Sequence, residues 1–133
     1  MPTKQFDADD FGAFLSLLPD KVDGVPLRHA IEVRHESFDD PAFLDLARQA
    51  GAAVVFADHD AYPALCGHDV GFSYSRLMRA TEEEETGYTP ADIEKWAAKA
   101  RADAERGDVF AFFISGAKVR NPAAAQAMIV AFR

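Results

Sequence analysis

Cysteine is nearly absent from this chain. Its single thiol, Cys66, excludes an intrachain disulfide and offers no zinc-type spacing, which fits a reducing compartment. No apolar run approaches the ~20 residues that a membrane-spanning helix requires, and the N-terminus Met-Pro-Thr-Lys-Gln-Phe-Asp has no apolar h-region. A cytoplasmic protein with no membrane partner is therefore expected. Basic residues are also scarce, with 14 Lys and Arg against 22 Asp and Glu, a net charge of -8 and a pI near 4.8. Such a balance repels phosphate backbones and leaves no basic stripe, which counts against nucleic acid as a partner. Part of the acidity lies in one run, Glu82 to Glu85, read as a solvated loop. The four histidines form no His-x-x-x-His or His-Glu-x-x-His spacing, so no metal ligands are assigned, although carboxylates and imidazoles are present.

What is present suits one globular α/β domain: 133 residues, 49% hydrophobic and 27% charged. Asp7 caps a first helix whose apolar face is Phe11, Phe14, Leu15 and Leu18, and a polar link from Lys21 to Arg28 follows. A strand over Ala30 to Arg34 puts Ile31 and Val33 on one face and Glu32 and Arg34 on the other. Asp40-Pro41 announces a second helix, with Phe43, Leu44 and Ala47 inward. The apolar run Ala52 to Ala57, ending at Asp58-His59-Asp60, has the pattern of a buried parallel strand. A third strand spans Val70 to Leu77, with Phe72, Tyr74 and Arg76 sharing a face. The loop Arg79 to Gly87 leads to a long helix at Thr89-Pro90, with Ile93, Trp96, Ala97 and Ala100 in its packed stripe. A fourth strand, Asp108 to Ile114, precedes a loop from Ser115 to Arg120 and a terminal helix capped at Asn121-Pro122. Alternating units of this length imply a parallel sheet with helical crossovers.

Sites of parallel α/β folds lie beyond the C-terminal strand ends, which selects Glu32, Arg34 and His35, then Asp58, His59 and Asp60, then Arg76, and finally Lys118 and Arg120. Glu32 and Asp58 are the acid/base candidates. Arg34, His35, Arg76, Lys118 and Arg120 are the ligand-binding candidates, because guanidinium and ammonium groups suit a carboxylate or phosphate. A salt bridge from Arg76 to Glu32 or Asp58 is the structural alternative. Cys66, His29 and His68 read as ordinary loop or edge residues, and Trp96 as packing.

Taken together, Ala30-Ile-Glu-Val-Arg-His35, Val54-Val-Phe-Ala-Asp58, Tyr74-Ser-Arg-Leu77, the helix start from Gly87-Tyr88 to Trp96, and Asp108-Val-Phe-Ala-Phe-Phe-Ile114 resemble the DUF72 family, also called YecE-like proteins. Met78 stands where the family usually has a histidine, and Ile114-Ser115-Gly116 where it commonly has asparagines. The resemblance implies a TIM-like (β/α)8 barrel. Family chains are longer, so it implies that residues 1–133 are the C-terminal half of one, a partial domain of about four parallel strands with outer helices. Glu32, Arg34, Tyr74 and Arg76 would then face the barrel lumen. The family has no settled activity and names no cofactor. On this reading the chain derives from a TIM-barrel enzyme, with a hydrolase among the candidates, acting on a small polar or anionic ligand. A non-catalytic binding or interaction module is the alternative, and a metal-dependent phosphoesterase acting on nucleic acid is the third. Open sheet edges and an uncovered face, with Tyr74, Phe72, Val55, Val109 and Phe113 or their alternates exposed, would favour a homodimer or association with the missing N-terminal half.

Overall fold

Helix starts follow the capping chemistry of the sequence in three cases out of four. In the computed structural model, which describes residues 4–65 and 70–133, α1 (Ala8–Ser16) begins where the Asp7 carboxylate accepts from the Asp10 amide at 3.0 Å. Asp40 does the same for Ala42 at 2.8 Å at the start of α2 (Pro41–Gln49), and Thr89 for Asp92 at 3.1 Å at α3 (Pro90–Ala104). At α4 (Asn121–Phe132) the cap position belongs to Arg120, which makes no side-chain cap. Asn121 is not the cap because its side chain is committed to Ser115, accepting from Oγ at 2.7 Å.

The link from Lys21 to Arg28 is not a plain loop. Its strands β1 (Lys21–Val22) and β2 (Val25–Pro26) pair antiparallel around Asp23 and Gly24, both at positive φ (50° and 78°). Asp-Gly is the residue pair that such a two-residue turn demands, so the hairpin had a local signal.

The remaining strands are β3 (Ala30–Ile31), β4 (Ala53–Val54), β5 (Phe56–Asp58), β6 (Phe72–Leu77) and β7 (Asp108–Phe113). β3 pairs with β4, and β5, β6 and β7 pair in that order, all in parallel. The expected half of a TIM-like barrel with about four parallel strands is therefore corrected to an α/β fold with three sheets, one antiparallel and two parallel, and no closed barrel among the described residues. Closure requires every strand to be paired on both sides. Here the run from Ala53 to Asp58 changes partner at Val55, whose amide donates to the Ile31 carbonyl at 2.8 Å, and β3 and β7 are each paired on one side only among the described residues. Strand β3 is shorter than the expected Ala30 to Arg34, since the chain turns at His35 into a 3-10 turn over Glu36–Phe38.

Register decides which side chains share a face. Arg76 lies opposite Ala57 and Phe112, whereas Leu77 lies opposite Asp58 and Phe113. The Leu77 face meets the helices: Leu77, Tyr88, Ile93, Trp96, Ala100, Ala124 and Met128 form one core, with Phe56, Val109 and Phe113 packed on it. A second core joins Phe38, Phe43, Ala47, Val54 and Leu65 to Phe6 and Phe11. The Arg76 face carries Val55, Phe72, Tyr74, Phe110 and Phe112. Of the residues expected to be exposed on it, Phe72 and Val55 are buried, and Val109 and Phe113 belong to the helix side, while Phe112, the alternate of Phe113, is 40% exposed. The hairpin's exit, Pro26 to Arg28, borders this face instead. No helix is long and apolar enough to cross a membrane among the described residues.

Candidate functional site

Glu32 sits where β3 has just ended, and Arg76 one residue before the end of β6. Their side chains meet over the open face, with Arg76 Nη1 donating to Glu32 Oε1 at 2.6 Å. Arg34 holds the other carboxylate oxygen, from Nη2 at 3.1 Å and Nε at 3.3 Å. Both Glu32 and Arg76 are about one-fifth exposed, at 19% and 21%, while Arg34 is at 47%. Burial works to raise the Glu32 pKa, and the hydrogen bonds and charges of Arg76 and Arg34 outweigh it, so the carboxyl lies below its ordinary value. Two guanidiniums against one carboxylate leave a local charge of +1 on a chain of net charge -8. Arg34 also lies over the Tyr62 ring at 4.8 Å, and Tyr62 stacks on His59 at 4.0 Å.

Glu32 and Arg76 open onto a cleft of about 630 Å³, whose lining also includes Arg28, Phe72, Tyr74 and Phe110, whereas Arg34 is not part of that lining. Arg28 lies 5.1 Å over both Phe72 and Phe110 and pairs with Asp108 at 2.9 Å. Arg76 uses one donor on Glu32 among the described residues. A guanidinium has five, so the others are available to a ligand.

Asp58 belongs elsewhere. It shares the Leu77 face and is 3% exposed, its Oδ1 accepting from Arg79 Nη2 at 2.5 Å and Nε at 2.9 Å, and its Oδ2 from the Tyr88 hydroxyl at 3.0 Å. The Arg79 amide donates to that same hydroxyl at 3.0 Å, and Arg79 reaches Asp60 at 3.1 Å. Hydrogen bonding and charge from Asp58 raise the Arg79 pKa, and burial raises that of Tyr88. Sequence reasoning missed Arg79 and Tyr88. The available signal was a carboxylate ending a fully apolar run, which demands a cation or donors from some other segment.

His35 caps the 3-10 turn, its Nδ1 accepting from the Ser37 amide at 3.1 Å. It also lines a second cleft of about 530 Å³, beside Phe11, Phe14 and Phe38. Lys118 and Arg120 are not brought to the triad: Lys118 is exposed, and Arg120 Nε donates to the Glu82 carbonyl at 3.1 Å. Cys66 and His68 lie outside the described residues. No group of three His, Cys, Asp or Glu is placed to hold a metal ion among the described residues.

The fold and cleft define an α/β protein with an arginine-rich pocket on the open face of a parallel sheet. The family model described as "Protein of unknown function DUF72" matches residues 1–133, and the chain belongs to that family. This overturns a resemblance confined to a C-terminal half, since the family model matches residues 1–133. Among solved structures the chain is similar to a DUF72 family protein from Thermotoga maritima, with 17% identity and a TM-score of 0.66 over 97% of this chain and 53% of that one. It is also similar to a DUF72 family protein from Enterococcus faecalis, with 13% identity and a TM-score of 0.73 over 99% and 56%. The chain thus spans little more than half the length of these relatives, and the likeness is one of fold. No curated protein matches it.

Proposed function

We propose that the open-face cleft binds a small molecule that carries an anionic group on an apolar body. One observation carries this reading: Arg76, paired with Glu32, lies beside the apolar wall of Phe72, Tyr74 and Phe110, while Arg34 holds the other oxygen of the same carboxylate from outside the cleft lining. The uncompensated guanidinium charge attracts an anion, and bidentate donation gives it direction. A cleft of about 630 Å³ falls within the range of small-molecule sites. Glu32, held ionised by its two arginines, suits a base or a positioning carboxylate better than a proton donor. Hydrolysis by a Glu32 and Asp58 pair gains no support, because the two carboxylates point to opposite faces of the sheet.

Calorimetric titration with a panel of small phosphates and carboxylates tests the proposal. Millimolar or tighter binding by at least one member, weakened tenfold or more in Arg76→Ala, is the expected result. Equal affinities in the two proteins, or no binding by any member, would overturn it. If an accompanying reaction is found, Glu32→Gln should abolish turnover while ligand affinity is kept.

A further inference from the structure

Resting on that anion-binding reading, we infer that the apolar body of the ligand is a planar aromatic ring, stacked at the open end of a ladder of rings on the sheet. The ladder runs Phe110, Tyr74, Phe112. Tyr74 makes an interplanar angle of 29° with each neighbour, at centroid separations of 6.4 Å to Phe110 and 5.1 Å to Phe112. All three side chains share the Arg76 face, because Tyr74 is in register with Phe110 and Arg76 with Phe112.

The two ends of the ladder differ. At the Phe110 end the stack is capped by the Arg28 guanidinium, 5.1 Å from the ring centroid and held there by Asp108. At the other end Phe112 is 40% exposed, and Tyr74 is the one ring it meets among the described residues. A half-exposed phenylalanine at the end of a stack presents a π-face to whatever planar group arrives. Arg76, the cross-strand neighbour of Phe112, is the group assigned above to the anion. Adjacent strands lie about 4.8 Å apart, so ring and anion would be held by neighbouring side chains. An anionic sugar or a flexible aliphatic acid would satisfy Arg76 and leave the Phe112 face in water. A ring bearing a phosphate or carboxylate would satisfy both, as stacking platforms beside basic groups do for bases.

The experiment compares the Kd of AMP with that of ribose 5-phosphate, which keeps the phosphate and lacks the ring, on the intact chain and on Phe112→Leu. AMP should bind about tenfold tighter, the gain typical of one stacked base. Phe112→Leu should erase that difference and leave ribose 5-phosphate unchanged, which also shows the variant folded. Affinities within twofold of each other on the intact chain would overturn the ring inference and leave the anion site standing, as would an AMP preference that survives in Phe112→Leu. Binding by neither compound or by any anion of the panel would overturn both readings.

Discussion

Arg76 and Glu32 are 44 residues apart in sequence and 2.6 Å apart in space, and each is four-fifths buried. The second arginine of the triad, Arg34, is half exposed at 47% and only two residues from the carboxylate. The two ion pairs therefore differ in strength for a physical reason: solvent screens one and is largely kept from the other.

Removing Arg76 should accordingly destabilise the fold by about 2–3 kcal/mol, because it leaves a shielded carboxylate with its weaker partner. Arg34→Ala should cost less than about 1 kcal/mol. Urea unfolding midpoints of the two variants measure the difference, and equal losses would show that the triad is uniformly solvated.

Acid should weaken the fold through Glu32. Its folded pKa is lowered, so its contribution is present above its ordinary value near 4.5 and is lost as pH falls through the lower folded value. Glu32→Gln should flatten that part of the profile of unfolding midpoint against pH. At the alkaline end the sign is reversed for Tyr88, whose pKa burial raises above the ordinary 10.0. Stability should be full below pH 10 and decline above it, as the unfolded phenol ionises and the folded one resists. Tyr88→Phe should remove this alkaline decline and cost about 1–3 kcal/mol at pH 7, by depriving Asp58 of a donor and the Arg79 amide of its acceptor.

Gly107 should tolerate no side chain. At φ 150° it lies so close to Gly71 that a Cβ would stand 2.0 Å from that residue's carbonyl oxygen. Backbone cannot yield as a flexible side chain does, so Gly107→Ala should cost several kcal/mol by separating the starts of β6 and β7. Gly116→Ala, with nothing within 4 Å, is the control and should change the thermal midpoint little.

Self-association is expected from the far side of the molecule. Helix α4 has no charged residue from Asn121 to Phe132, yet Ile129, Val130 and Phe132 are 54%, 69% and 40% exposed. Strand β7, on which α4 packs, has no partner on its outer edge among the described residues. Exposed apolar area beside an open strand edge favours a second copy. Sedimentation velocity should show mass rising with micromolar concentration, and Val130→Lys should reduce it. A monomer throughout would refute this.

Local chemistry was legible in the chain. Asp7, Asp40-Pro41 and Thr89-Pro90 start helices because caps act over two or three residues, and the alternation of Phe72, Tyr74 and Arg76 against Ser73, Ser75 and Leu77 is a property of any strand. The Asp23-Gly24 hairpin is equally local, a turn signal set within a stretch of polar composition. That Glu32 and Arg34 share a face was open to inference from alternation within one strand. Tertiary structure alone decided that Arg76 answers Glu32 while Arg79 and Tyr88 answer Asp58, for the contacts close loops of 44, 21 and 30 residues. It also decided that the two acid/base candidates face apart. Register sets which side of a sheet a residue faces relative to residues on other strands, and a shift of one residue would have reversed it.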